Sequence, residues 1–431
     1  MSWADRAPLM SVWLALALVL SLVVGCRRPA PVTAQATPTA TAVAPTATRP
    51  VAPTLIRLTA APPPSQSAAT ATPQPQALAE RFTAAILARW PDANDIVGEG
   101  WEYNTGIVLY GLAVAQQRSG DPAVLAYIQR WVDGYVGPAG EFTLPQSHNL
   151  DLVQPANLLL YLYESTGEAR YLTAARTIAD DLLADHPRNA AGGFWHKDIY
   201  PEQMWLDGVY MAGPFLAQLG ALTGEAAYGD AAAEQALLLA EHTQDPATGL
   251  LYHAWDASGQ AAWAAPDTGR SPVVWLRAMG WYTMALVDML QALPADHPSR
   301  EALLAVLQSA AAGLADAQDR ETGLWFQVVD QPDLPGNWVE TSGSAMVIYA
   351  LRKGVDADLL PARYGVVAAR GWAGLQRQVT LGADGRPSIT GAVEGMGVQP
   401  DAAAYVAKRR LTDSPHGLLG ILLAATAMAG R

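Results

Sequence analysis

The stretch from Gly192 to Phe215, GGFWHKDIYPEQMWLDGVYMAGPF, places a His, a Lys, two Trp and an Asp on a loop and the helix expected to follow it. Pro201 suits the first turn of a helix, where its missing N–H costs nothing. On that reading Asp207 falls in the second turn, among Met204, Trp205, Val209, Tyr210 and Met211. A carboxylate on so apolar a stretch is costly unless it is paired or used. The plainer alternative is an acid favoured by the positive end of a helix. His196 and Lys197 lie just upstream, where a loop can carry them over the same pocket.

Other loops add candidates. Asp151 closes the run HNLD and starts an apolar helix, where it would serve equally as an N-cap. His253 lies in YHAWD, and Trp275 and Arg277 enter the helix after it. Arg277 sits among Val273, Val274, Trp275, Met279 and Trp281, where an unpaired guanidinium would be costly. It should therefore pair with a carboxylate, either Asp207 or Asp151 or that of a ligand. Trp325, Gln327, Trp338, Glu340 and the TSGSA turn form a fourth group. Asp413 and His416 end a fifth, where they could equally cap the final helix. Two carboxylates in one pocket drive each other's pKa apart, so that one can stay protonated as an acid. That is acid/base work on a glycosidic group. No HExxH, CxxC or His–Cys cluster is present, so a zinc enzyme has little support. There is no phosphate-binding P-loop, and TSGSA is not a nucleophile elbow.

These residues need a scaffold. Strand signals are few and helical periodicity dominates. A short punctuation recurs between helices: Ser119-Gly120-Asp121, Thr166-Gly167-Glu168 and Thr223-Gly224-Glu225. Glycine ends one helix in a left-handed cap, and the acid starts the next at its positive end. From Gly120 to Gly167 is 47 residues and from Gly167 to Gly224 is 57, with Tyr171 and Tyr228 at the same offset. This is a repeat of helical hairpins with variable insertions. About twelve helices are expected from residue 77 to 431. The alternate links are long, aromatic and polar, and the last is glycine-rich, from Gly382 to Thr412. In a closed ring of hairpins, alternate links lie at one end, where function usually sits. The expected fold is all-α, an (α/α)6 toroid; an open solenoid is the alternative.

From about Trp101 to the C-terminus the chain resembles glycoside hydrolase family 105, the unsaturated rhamnogalacturonyl hydrolases, which are related to the family 88 unsaturated glucuronyl hydrolases. The motifs that carry the likeness are HNLD, WHKDIYPEQMWLDGVYMAGPF, YHAWD, VVWLRAMGWYTMALVDML and NWVETSGSAMVIYALRKGV. The resemblance implies an (α/α)6 enzyme that needs no metal or cofactor. Its substrates would be lyase-cut oligosaccharides with a C4=C5 double bond in the terminal uronic acid. It implies that Asp207 protonates C4 and handles the water attacking C5. Asp151 would position substrate and water, and the hemiketal would collapse to a keto acid. His196, Lys197, Trp205, His253, Trp275, Arg277 and Tyr103 would bind the substrate. Arg277 or Lys197 would pair with the uronate carboxylate, a bidentate task suited to Arg, and Trp rings would stack on sugar. An unsaturated glucuronyl hydrolase of family 88 type, a sugar epimerase using His253 and His416, and a silent glycan-binding lipoprotein are the alternatives.

Composition agrees with an enclosed polar site on a large core. The chain has 431 residues, 51% of them apolar, and 14 Trp against 5 Phe. Indoles often stack on sugars, whereas Phe is the ordinary core aromatic. The net charge of −13 and the lack of a basic stripe argue against nucleic acid. A few local cations can still attract an anionic ligand. Residues 1–26 have a signal-peptide layout, with Arg6, an apolar run from Leu9 to Val24 and then Val23-Val24-Gly25-Cys26. The tetrapeptide resembles a bacterial lipobox and implies lipidation of Cys26, the only cysteine. The domain beyond it has no disulfide or thiolate nucleophile. Residues 27–76 are rich in Ala, Thr and Pro and cannot bury a core. They are expected to tether a catalytic domain, residues 77–431, to a membrane in the cell envelope.

Overall fold

The computed structural model describes residues 74–143 and 147–430. The expected signal peptide, Cys26 and nearly all of the tether lie outside the described residues. The first helix, α1 (Pro75–Arg89), opens on proline at N1 two residues before the expected boundary.

Twelve helices alternate outer and inner. After α1 come α2 (Tyr103–Ser119), α3 (Pro122–Asp133), α4 (Asn157–Thr166), α5 (Ala169–Asp185), α6 (Leu206–Thr223) and α7 (Ala226–Thr243). Then follow α8 (Leu276–Ala292), α9 (Arg300–Asp316), α10 (Thr341–Asp356) and α11 (Arg363–Gln376). A one-turn helix α12 (Ala402–Val406) interrupts the last loop before α13 (Pro415–Met428). Helices α2, α4, α6, α8, α10 and α13 touch in that order, and α13 touches α2, so the ring closes. Outer helix α1 packs on α13, and α3, α5, α7, α9 and α11 pack on the inner helix before each. This is the expected (α/α)6 toroid, and ring closure rules out the open solenoid.

The inner helices are apolar nearly all round because each has ring neighbours on both sides and an outer helix behind. In α8 the buried set runs almost unbroken from Leu276 to Leu290. Glycine lets the helices approach: a Cβ on Gly343 of α10 would stand 2.7 Å from Leu276 Cγ and 2.9 Å from the Arg277 nitrogen. The TSGSA turn is thus a close crossing of α10 over α8.

The tight links behave as their sequence predicts. Gly120, Gly167 and Gly224 are left-handed, with φ of 70°, 75° and 75°. Asp121 caps α3 by accepting from the Ala123 N–H. Glu168 and Glu225 occupy the same position but turn to Arg170 and Arg176 instead. The repeated tyrosines stitch successive outer helices: Tyr171 donates to Asp133 at 2.8 Å and Tyr228 to Asp180 at 2.6 Å.

The long loops hold more strand than expected. β1 (Gln203–Trp205) pairs antiparallel with β2 (Ala254–Asp256). The last loop carries β3 (Val379–Leu381), β4 (Pro387–Val393) and β5 (Arg410–Thr412) as one antiparallel sheet. Pro201 therefore starts no helix. The chain turns at Glu202, whose φ is 62°, runs through β1, and enters α6 only at Leu206. Asp207 lies in the first turn, not the second.

Candidate active site

All six inner helices begin at the long-loop end, so their positive N-termini converge on the ring axis. The side chains that face the axis there come from those first turns. Tyr103 is the first residue of α2, and Asp207, Arg277 and His416 are the second residues of α6, α8 and α13. They line a cavity of about 260 Å³, together with Asp151, His196, Lys197, Trp205 and Trp275. A larger cavity of about 420 Å³ surrounds Asp288, Tyr349 and Lys353 near the other ends of these helices, away from every expected site residue.

Each carboxylate has its own partners. Asp151 lies in a 3-10 turn from Leu150 to Leu152 and is not the expected N-cap of a longer helix. Asn149 caps that turn and α4 starts at Asn157. The freed Asp151 carboxylate accepts from Lys197 Nζ at 2.5 Å and lies 3.5 Å from His196 Nε2. Asn149 and Lys197 form an isolated antiparallel bridge that aligns the two loops.

Asp207 faces His253. Its Oδ2 lies 3.2 Å from His253 Nε2, and both atoms are shielded from solvent with no other partner. The angle is loose for a hydrogen bond, yet the short separation in a buried site sets the electrostatics. The carboxylate is 13% exposed, and as Oδ2 is covered that exposure falls on Oδ1, toward the cavity. Burial pushes the Asp207 carboxyl up. Contact with His253, helped by His196 and the Arg277 charge, outweighs it, so the group sits below the usual carboxylate value. The expectation that a neighbouring carboxylate keeps one acid protonated is therefore not met at Asp207.

Arg277 is also corrected. It makes no ion pair among the described residues. One guanidinium nitrogen donates to the Val393 carbonyl at 2.6 Å and the other to that of Glu394 at 2.8 Å. Its Nε is buried without a partner. Neutral acceptors leave the positive charge uncancelled, so it acts on the cavity as well as holding the end of β4. Glu340 secures the same junction structurally. It caps α10 through the Ser342 and Gly343 N–H groups and accepts from the Val393 N–H at 2.9 Å.

The aromatic walls are tightly packed. His196 and Tyr200 both stack on Trp205, at 4.3 and 4.7 Å between centroids. Trp275 is 1% exposed, donates to Gln327 and tilts against His253 at 4.6 Å. The indoles therefore clamp the imidazoles, and they offer no open ring for a sugar to stack on as expected. Burial lowers His196 to about 4, although Asp151 opposes the shift, so its ring is neutral at ordinary pH. Tyr103 and His416 share a hydrogen bond. Burial holds the Tyr103 phenol well above its usual value and His416 well below. Ser414, not Asp413 or His416, caps α13. Asp413 ties Arg89 to the last loop. With His253 on Asp207 and His416 on Tyr103, the histidines are not free as a catalytic pair for epimerisation.

The sequence reading missed Tyr200, Met396, Gly397 and Tyr405. Gly397 was signalled by the glycine-rich last loop: a Cβ there would come within 3.0 Å of Trp205. Nothing in AAAYVAKRR marks Tyr405, which is fully buried and bonded to His253 Nδ1 at 2.7 Å. No group of three or more His, Cys, Asp or Glu suited to a metal ion occurs among the described residues.

Known proteins resemble this chain in sequence and fold. The family model described as Glycosyl Hydrolase Family 88 matches residues 78–431. The unsaturated rhamnogalacturonyl hydrolase YesR of Bacillus subtilis is 30% identical over 256 residues, covering 58% of this chain and 70% of YesR. An unsaturated 3S-rhamnoglycuronyl hydrolase of Alteromonas sp. is 25% identical, covering 67% of this chain and 68% of its own. A family 105 glycoside hydrolase structure from C. acetobutylicum superposes with a TM-score of 0.76 at 32% identity, covering 81% of this chain and 98% of the other.

Proposed function

The chain belongs to glycosyl hydrolase family 88, and from that premise we propose that it removes a terminal unsaturated uronic acid from lyase-generated oligosaccharides. The preferred class is unsaturated rhamnogalacturonan, the substrate named for the B. subtilis relative. The observation that carries this reading is an inward carboxylate, Asp207, backed by His253 at the converging N-termini of six helices.

The chemistry follows from the site. The substrate's C4=C5 bond is conjugated with a carboxylate and bears the ring oxygen on C5. Asp207, protonated on Oδ1, delivers its proton to C4, and the ring oxygen stabilises the cation left at C5. The resulting carboxylate takes a proton from the water that attacks C5, which restores the acid. The C5 hemiketal opens to a ketone, and the hemiacetal so exposed at C1 collapses and releases the next sugar. Asp151, held by Lys197, orients the substrate hydroxyls and the water. The uncancelled Arg277 charge and the helix N-termini attract the uronate carboxylate.

The direct test follows the double bond's ultraviolet absorbance with unsaturated rhamnogalacturonan and glycosaminoglycan disaccharides. Loss with the rhamnose-linked substrate, absent in Asp207→Asn, supports the reading. Loss with the glycosaminoglycan substrate alone would favour a glucuronyl preference, and no loss with a folded protein would reject hydration. We further propose that Cys26 anchors the enzyme to a membrane through lipid, on the strength of the apolar run and the VVGC tetrapeptide. Cys26→Ser should then release it from the membrane fraction, and retention there would contradict the anchor.

A further inference from the structure

We propose that Tyr405, from the last loop, is a positioning residue that fixes the proton of His253 on Nε2 and thereby directs the Asp207 proton toward the substrate. This rests on Asp207 being the acid of the reaction proposed above. The argument is one of proton accounting. The Tyr405 hydroxyl has one proton to give, and its oxygen accepts from the Gln399 N–H at 3.2 Å. A backbone N–H can only donate, so the hydroxyl proton must find another acceptor. The residue is fully buried, and its one remaining hydroxyl contact among the described residues is His253 Nδ1, at 2.7 Å. Burial holds this phenol well above its usual value, so it stays a donor.

Nδ1 is therefore an acceptor, and a neutral His253 carries its proton on Nε2. That N–H lies beside Asp207 Oδ2, with Nε2 3.2 Å from it at an angle loose for a hydrogen bond. With the positive end of that N–H dipole beside the buried Oδ2, a proton added to Asp207 is driven to Oδ1, on the cavity side. The opposite tautomer would leave Nε2 bare. It would then draw the carboxyl proton onto Oδ2 and away from C4. Through the cycle the proton leaves Oδ1 for C4 and returns from water, and His253 keeps its own.

The arrangement also explains why the last loop is built around Tyr405. Gln327, which accepts from Trp275, donates to the Tyr405 carbonyl at 3.4 Å. The Tyr405 ring packs 5.9 Å from His253 and 6.0 Å from Trp275. Tyr405→Phe keeps that packing and deletes the hydroxyl.

The test has two readouts on the full-length folded protein. Long-range ¹⁵N–¹H spectra, with His253→Asn to assign the ring, should show the Nε2–H tautomer in the wild type and a mixture or the Nδ1–H form in Tyr405→Phe. Steady-state kinetics on the unsaturated disaccharide should show kcat lowered about 10- to 100-fold in Tyr405→Phe, with KM changed less than about threefold and melting retained. An Nδ1–H tautomer in the wild type, or unchanged kcat in Tyr405→Phe, would overturn the proposal. A wild type inactive on every unsaturated substrate yet showing the Nε2–H tautomer would instead reject the reaction and leave the proton placement standing.

Discussion

Asp207 sits between opposing forces. Burial favours its neutral form, while His253, His196 and Arg277 favour the carboxylate and prevail. An acid catalyst must be protonated when substrate is present, so the substrate has to alter that balance. The uronate brings a like charge and neutralises Arg277, both of which raise the Asp207 pKa. Binding a saturated uronate analogue should therefore take up close to one proton near neutral pH. Calorimetry in buffers of different ionisation heat would measure this. Uptake should vanish in Asp207→Asn, and equal uptake in that variant would place the proton elsewhere. Turnover in Asp207→Asn should fall by about 10²–10⁴ with little change in melting temperature. Of the side chains read from the sequence, both carboxylates, His196, Lys197, Arg277, His416 and Tyr103 do meet in one place. Their partners were not legible. Arg277 bonds to carbonyls of Val393 and Glu394, more than a hundred residues downstream, and backbone carbonyls carry no residue-type signal.

The elements hold these residues by close crossings as much as by apolar faces. Arg277 and Gly343 meet where α10 crosses the start of α8. Gly343→Ala would place a methyl group against Leu276 and the Arg277 nitrogen. Overpacking of this kind costs about 1–3 kcal/mol, and here it also displaces Arg277. Denaturation should show that loss of stability, and kcat/KM should fall with it; an unchanged variant would mean that the crossing is loose. The helices themselves were readable, since apolar periodicity and glycine–acid links are local features, and all three predicted left-handed glycines have the required φ. The site-proximal strands were not. β1 and β2 are three residues each, too short for alternation to register, and exist because the two loops lie side by side. Pro201 misled for the same reason: the turn at Glu202 and the pairing of β1 override its helix-start preference.

At the scale of the whole molecule, the toroid gathers long loops and helix N-termini at one end and leaves tight links at the other. Ring closure depends on contacts between α2 and α13, which lie at opposite ends of the domain sequence. It was anticipated from the alternation of loop lengths, not from any pairing signal. The cost of an enclosed imidazole-rich site should appear as a pH effect on stability. Burial holds His196 at about 4, below its ordinary 6.5, and lowers His416 as well. The unfolded chain therefore takes up protons that the native one refuses as pH falls from about 6.5 toward 4. Stability should decline across that window and level off above it. Melting curves between pH 4 and 8 would test this, with His196→Asn reducing the slope.

The account's central claim is that water adds across the C4=C5 bond, and the sharpest measurement is turnover of an unsaturated rhamnogalacturonan disaccharide in ¹⁸O-enriched water, quenched quickly and read by mass spectrometry. The account predicts a released uronic product without its double bond, carrying solvent oxygen at C5, and a released neighbour carrying none. A product that keeps the double bond and carries the label at C1 would contradict it, because that outcome is direct displacement at the glycosidic carbon.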